Sequence, residues 1–467
     1  MRSAGETLPV QLAIRIVLDN VSYSNPLPDW HTPLRIDYGE RERRISNRIE
    51  SYLAGRSLPL PALEVMVPHR SGEFRKWVLP SVNDQIILQA CVSALAGKLS
   101  SRVDPERVFS YKRNQDPNRV ALTEEKLQSW FDFQKATQER LKASGGTWLL
   151  QLDLRRAFPS IDRARFYGFL DGLGPQGSEV KLIRLLLEAF AGNGSGVPLI
   201  NDTVFFLGNS YLSGVDGIVH GVLREEGGEF IRFMDDYRVF ATSREQLERI
   251  YERVHRGLRA HGFEPNLDKL KIGSAADYLE AVSRPDFSTR NSHYISALLG
   301  EVMDPGQVAV LVERTLKEPE RYLHDGFGRF LLAVLRRFRY EKSLATEILN
   351  SVDPAEEELG QALRSKGILP LASALLERYG ADPRQAWRTV WLIYLMEHME
   401  LDGEVEGLLR RIEERQETPQ VVRLWAIRAR QGRQREREIL PEDVHDRSYL
   451  DAGLRCYGEQ PCADAVS

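Results

Sequence analysis

Two rhythms of apolar and polar positions run along this chain, and their balance changes near Pro305. Before that point strand-like alternation and helical periodicity are mixed. Residues 63–68 and 74–80 read as two strands returning across the turn signal at 69–73. Residues 148–154 form an apolar run of strand length, and 230–242 reads as a hairpin. Weaker strand signals sit at 269–272 and 278–283. Helical spacing marks the residues up to about 20, with Leu12, Ile14, Ile16, Val17 and Leu18 crowded together, and residues 45–53, 82–99, 122–144, 181–190, 203–223 and 244–261, with Gly145-Gly146 and Gly262 as stops. The proline-bearing stretch 23–38 reads as loop. Beyond Pro305 strand signals nearly vanish. Helices are predicted at 308–316, 327–339, 371–378, 386–399, 405–415 and 418–431, punctuated by Pro354, Pro370, Pro383 and Pro419. The pattern predicts an α+β domain over residues 1–290 and an all-α domain over 291–467, a helical bundle or short helical-hairpin array.

Composition narrows the classes. Of 467 residues, 42% are hydrophobic and 28% charged, a soluble globular balance. No apolar run is long enough for a membrane span, and the first residues lack the charged-then-apolar signal pattern. Cys91 sits in an apolar helical run, while Cys456 and Cys462 are too poor in partners for a zinc knuckle. A reducing cytoplasm, with no membrane partner, is the expectation. A net charge of −4 counts against a bulk nucleic-acid coater. It leaves room for an enzyme whose basic channel and acidic site offset each other. Arginines cluster at 336, 337 and 339 and again between Arg423 and Arg437. Such runs suit a solvated helix face and a nucleic-acid contact equally.

The candidate chemistry lies in two segments. Trp148-Leu149-Leu150-Gln151-Leu152-Asp153 ends an apolar strand on an acid, and Phe233-Met234-Asp235-Asp236-Tyr237 places two acids at the tip of a hairpin. Carboxylates at the edge of an apolar core are expensive unless compensated. Magnesium is one natural compensation, because it takes carboxylate oxygens together with substrate phosphates and water. Two ions about 3.5–4 Å apart hold the attacking and leaving oxygens of an in-line displacement. The plainer reading is that Asp-Asp serves a turn by bonding its own backbone and that Asp153, at a strand end, caps the next stretch of chain.

The order of segments resembles a reverse transcriptase. Leu152-Asp153-Leu154-Arg155-Arg156-Ala157-Phe158-Pro159-Ser160-Ile161 looks like the first palm motif. Gly196-Val197-Pro198, then Leu207-Gly208-Asn209-Ser210-Tyr211-Leu212, looks like the second. Arg232-Phe233-Met234-Asp235-Asp236-Tyr237 looks like the third, and Gly262-Phe263-Glu264-Pro265-Asn266-Leu267-Asp268-Lys269 like the fourth. Upstream, residues 67–75 with Asp84 and Gln85 look like the fingers hairpin and its following helix. Val108-Phe109-Ser110-Tyr111-Lys112-Arg113 resembles a segment usual in bacterial members. The resemblance covers roughly the first 290 residues.

That resemblance implies a right-hand polymerase, with fingers and palm followed by the helical domain. It implies Asp153, Asp235 and Asp236 as catalytic residues and ligands of two Mg2+ ions, with Mn2+ as a substitute. Phe158 would lie under the sugar and exclude a 2′-hydroxyl; its other role is core packing. Arg75 would grip the triphosphate, since guanidinium matches phosphate oxygens, and Lys269 would stand near the departing pyrophosphate. Gly196 and Pro198 would shape the nucleotide or template pocket. The implied partners are dNTPs, an RNA template or non-coding RNA, and a DNA product. Leu199-Ile200 departs from the usual residues after that proline, where a glycine is expected, and this bears on template handling. The helical C-terminal part is similar in layout to the abortive-infection and related phage-defence reverse transcriptases of bacteria. These imply template- or primer-independent synthesis, a protein hydroxyl as primer, and a homo-oligomer or companion defence protein. The alternatives are a catalytically inactive palm-fold scaffold that binds nucleic acid, and another palm enzyme such as a cyclase or RNA polymerase.

Overall fold

The computed structural model describes residues 8–19, 38–69, 72–116, 118–143, 147–173, 177–192, 194, 196–283, 304–324, 331, 335, 354–397, 399 and 403–435. Two compact units divide the chain. One comprises Met1–Ser22, Asp37–Ala62 and Val82–Pro285; the other comprises Tyr23–Ile36, Leu63–Ser81 and Asp286–Ser467.

The first unit opens with α1 (Val10–Asp19) and α2 (Tyr38–Leu53). The second of these is longer than the short helix its apolar positions predict, because its first two turns are charged. The hairpin of β1 (Leu63–Pro68) and β2 (Phe74–Leu79) belongs to the second unit. Next comes α3 (Val82–Ser100), which is apolar almost all round and packs against α1 and, further along the chain, α7 and α8. A helix of that composition has no solvated face and belongs inside. Its one buried acid, Asp84, accepts from the Tyr52 hydroxyl at 2.7 Å and pairs with Arg48 at 3.4 Å.

Then follow α4 (Lys126–Ala143), β3 (Trp148–Asp153), the single turn α5 (Ala157–Ser160), α6 (Arg163–Asp171), α7 (Ser178–Ala191), α8 (Asp202–Tyr211) and α9 (Ser213–Glu226). Residues 203–223, read as one helical stretch, are two helices that part at Leu212. The sheet continues with β4 (Glu229–Phe233) and β5 (Asp236–Ala241), then α10 (Arg244–Ala260), β6 (Lys271–Ser274) and α11 (Ala275–Ser283). The weak strand signal at 278–283 is therefore overturned. Ser274 and Asp277 bond each other's backbone and side chain at 2.7–3.2 Å, and this start signal launches a helix.

The sheet has the order β4-β5-β3-β6, all antiparallel. One face carries Leu149, Ile231 and Phe240, which pack with Phe133, Ala136 and Leu141 of α4. Leu247, Ile250, Val254 and Leu258 of α10 are buried, and this helix packs on β3, β5 and β6. Both faces are thus covered, and only the strand ends are left for chemistry.

In the second unit the described residues after 303 hold helices and no strand. The helix Pro305–Lys317 starts on a capping box between Asp304 and Gln307. Pro354 and Pro370 fall in the first turns of helices Pro354–Ser365 and Ile368–Tyr379, where a missing N–H costs nothing. Of the predicted helix 327–339 only Leu331 and Leu335 are described; both are helical and buried. The helix Ala386–Glu397 is buried along its length, with Trp387, Trp391 and Tyr394 in a run of ring contacts that reaches Trp425. It and the helix Gln420–Arg435 also pack on β1. In the second arginine cluster, Arg423 bonds the carbonyls of Arg415 and Gln416 and Arg430 pairs with Glu413. Trp425→Ala is expected to lower the stability of this unit by about 3–5 kcal/mol, read from urea unfolding followed by tryptophan fluorescence.

Candidate active site

The strand pairing sets the site. Asp153 ends β3 and Asp236 begins β5, and the two stand directly opposite each other in the antiparallel register. Cross-strand partners point to the same face. Asp235 lies in the two-residue loop Met234-Asp235 that joins β4 to β5, and its carbonyl accepts from Leu154 N–H at 3.1 Å. The three acids are thereby brought to one end of the sheet.

Met234 adopts a left-handed conformation, φ 54°. The first position of such a hairpin loop favours glycine, and a side chain there costs about 1–2 kcal/mol. The neighbours Phe233, Trp130 and Phe133 form a ring cluster under this end, with centroids 5.0–5.7 Å apart.

Each acid of the strand pair is held by a cation. Lys269 Nζ donates to Asp153 Oδ1 at 3.0 Å, and Asn266 Nδ2 donates to Oδ2 at 3.0 Å. The Asn266 N–H also bonds the Asp153 carbonyl at 2.7 Å. Arg238 pairs with Asp236, and its guanidinium lies over the Phe133 ring. Burial raises the Asp236 carboxyl to about 7; the charges of Asp153 and Asp235 add to this, and Arg238 and Lys269 oppose it. Asn266 and Arg238 had no role assigned from sequence. The spacing Asn266-x-x-Lys269 carried the first, since both reach one carboxylate. The two-residue period of β5 carried the second, since Arg238 shares a face with Asp236.

A divalent cation is tested by this donor set. Three carboxylates converge here, Lys269 and Arg238 each pair with one of them, and burial makes negative charge costly. Hard oxygen donors in that setting fit magnesium. Among the described residues no three His, Cys, Asp or Glu side chains are grouped as a ready cage. Asp153 is turned to Lys269 and Asn266, and Asp236 to Arg238.

The remaining predicted residues fall in two places. Phe158 is buried, with its ring edge-on to Phe205 at 5.1 Å. It rests on Gly208, where a Cβ would meet the ring at 2.4 Å. Gly196 lies on Pro159, where a Cβ would come within 2.2 Å of the backbone carbonyl, and Val197 N–H bonds the Phe158 carbonyl at 3.1 Å. Pro198 follows, half-buried, with Ile200 buried beyond it. Phe158, Gly196 and Pro198 thus share one neighbourhood. Arg75 is exposed on β2, opposite Val67, in the second unit.

The site is thus an antiparallel sheet with Asp153 and Asp236 paired at adjoining strand ends and Lys269 on the first of them. Residues 67–294 match the family model described as reverse transcriptase (RNA-dependent DNA polymerase). This stretch is a reverse transcriptase domain. The chain is also similar to the structure of apo telomerase from Candida tropicalis, truncated from its C-terminal domain. That match has a TM-score of 0.34 and 12% identity over 49% of this chain and 55% of the telomerase chain, so it spans about half of either. No curated protein matches the sequence.

Gly196→Ala is expected to destabilise the first unit by about 1–3 kcal/mol, because the clash is with backbone and no rotamer relieves it. Gly217→Ala on α9, where nothing lies within 4 Å of the new methyl, is expected to gain about 0.5–1 kcal/mol. Urea unfolding of the two variants checks the contrast.

Proposed function

We propose that this protein is a DNA polymerase of reverse-transcriptase type that extends a nucleic-acid 3′ hydroxyl or a protein hydroxyl with dNTPs. The observation that carries the reading is the register that sets Asp153 opposite Asp236, with Asp235 in the adjoining loop, inside a reverse transcriptase domain. Asp153, Asp235 and Asp236 would hold two Mg2+ ions, or Mn2+ in their place. When bound, these ions activate the attacking hydroxyl and neutralise charge on the triphosphate. Lys269, which donates to Asp153, would supply a proton to departing pyrophosphate. Arg238 remains the counter-charge behind Asp236, and Asn266 keeps Asp153 in place. Phe158, braced by Gly208 and Phe205, presents its ring to the sugar. Gly196 and Pro198 shape the adjoining pocket, and Arg75 of the hairpin is a candidate triphosphate ligand.

The wider setting in this reading is bacterial antiphage defence, in the cytoplasm, with an RNA template or non-coding RNA as partner. Leu199-Ile200 supports unconventional template handling. The C-terminal helices would assemble copies of the chain, seat a companion defence protein, or bind the DNA product. Among the described residues no helix is long and apolar enough to cross a membrane.

A second reading is a nucleic-acid-binding scaffold without catalysis. One observation favours it: the carboxylates are engaged by Lys269, Asn266 and Arg238 and form no ready cage. Incorporation of labelled dNTPs by the purified protein with Mg2+, with and without added RNA, separates the two. Asp235→Ala and Asp236→Ala are each expected to lower incorporation by about 10³-fold or more, as loss of a metal ligand should. Wild-type protein that binds RNA and incorporates nothing would establish the scaffold.

Sugar selection gives a second check. Phe158→Ala and the milder Phe158→Val are expected to raise the relative use of ribonucleotides by about 10–100-fold. Unchanged selectivity in folded variants would leave Phe158 a packing residue only.

A further inference from the structure

The loop that carries Asp235 is gripped from beneath by a buried polar network. Arg232 has no exposed surface. Its Nε and Nη2 donate to Asp216 Oδ1 and Oδ2 at 2.7 and 2.8 Å, a two-pronged pair reaching α9. The third nitrogen, Nη1, donates to Asn209 Oδ1 at 2.8 Å and to the Met234 carbonyl at 2.9 Å. Ser110 is also fully buried. Its Oγ accepts from the Met234 N–H at 2.7 Å and donates to Asn209 Oδ1 at 3.0 Å. Asn209 Nδ2 returns a bond to the Ser110 carbonyl at 2.8 Å, and the Tyr237 hydroxyl donates to Asp216 at 3.0 Å.

Three features make this more than an ordinary buried ion pair. Both backbone polar groups of Met234, the residue in the left-handed conformation, are bonded by side chains of the network. Strand alternation puts Arg232 and Tyr237 on the sheet face opposite Asp236, so the grip does not compete with anything that binds the carboxylates. Finally, the stretch around Val108 lies along β4, with Phe109 N–H on the Arg232 carbonyl at 2.9 Å and Arg232 N–H on the Arg107 carbonyl at 2.8 Å. That pairing delivers Ser110 to the loop and gives residues 108–113 a physical task. An unpaired charge at Arg232 would be intolerable in the interior, so Asp216 and Asn209 fix the guanidinium, and the guanidinium fixes the loop.

We propose that Ser110 and Arg232, fixed by Asn209 and Asp216, are positioning residues. They lock Met234 in its strained conformation and so determine where Asp235 and Asp236 are presented. The catalytic half of this inference rests on the polymerase reading; the lock itself does not.

Ser110→Ala removes the acceptor for Met234 N–H with the least change in volume, and Ser110→Cys keeps the branching of the side chain, with a larger atom, while weakening the acceptor. Hydrogen exchange of the peptide spanning the loop reads the lock without any activity. Exchange at Met234 is expected to accelerate about tenfold or more in either variant, the equivalent of one lost hydrogen bond, while Val239 in β5 stays protected. In the incorporation assay kcat is expected to fall about 10–100-fold, with the dNTP KM within about twofold of wild type, since misplaced ligands act on the chemical step. Ile250→Ala, in the α10 core, serves as a destabilised control and is expected to change neither Met234 exchange nor the kcat-to-KM split. Unchanged Met234 exchange in folded Ser110→Ala or Ser110→Cys would overturn the lock. Faster exchange with wild-type kcat would overturn its role in catalysis. Wild-type protein inert toward dNTPs would overturn the polymerase reading, and the exchange measurement would still decide the lock.

Discussion

Antiparallel pairing of β3 with β5 governs the acidic end of this sheet. Side chains alternate along a strand, so a register shift of one residue would send the acid of one strand to the opposite face from its partner. The observed register is fixed from both sides. Leu149 and Phe240 meet the α4 core, and Leu152 and Val239 are buried in the sheet. The apolar pattern needed for a core therefore also places two like charges side by side. That arrangement is unfavourable on its own. Lys269, Asn266 and Arg238 offset it, and burial, with the charges of Asp153 and Asp235 adding to it, still holds the Asp236 carboxyl above its ordinary range.

This balance between packing and charge separates what was legible in the sequence from what was not. The hairpin, the acids at its tip and the strand ending in Asp153 could be read because short apolar runs with acids at their ends are unusual patterns. The helical nature of the C-terminal part was also plain, since its periodicity is sustained. Ser110, Asn209 and Asp216 gave no such signal. The segments holding Ser110 and Asn209 were singled out without a role for either residue, and only the fold shows Asn209 and Asp216 on one guanidinium and Ser110 on the Met234 N–H. The helix at Ala275–Ser283 was misread because Tyr278 and Leu279 suit a strand, whereas the Ser274–Asp277 pair that starts the helix lies just upstream.

Close packing around glycine gives the site its second fixed point. Gly196 and Gly208 admit backbone and ring where any side chain would collide. Phe158 is held by contacts that leave it little freedom to rotate, and an aromatic ring so confined can act as a wall. The same contacts explain why packing and the proposed selection need not compete.

The grouping of β1 and β2 with the C-terminal helices has a consequence for biosynthesis. Leu63, Val65 and Val67 are buried in the unit completed by the helices Ala386–Glu397 and Gln420–Arg435, which leave the ribosome roughly three hundred residues later. During translation the hairpin emerges early and waits for its cover, so the nascent chain passes through a long interval with a bare two-stranded ribbon. Such ribbons are marginal alone and prone to pair with other chains. The interval makes this hairpin a segment of the growing polypeptide that stays uncovered until the C-terminal helices arrive.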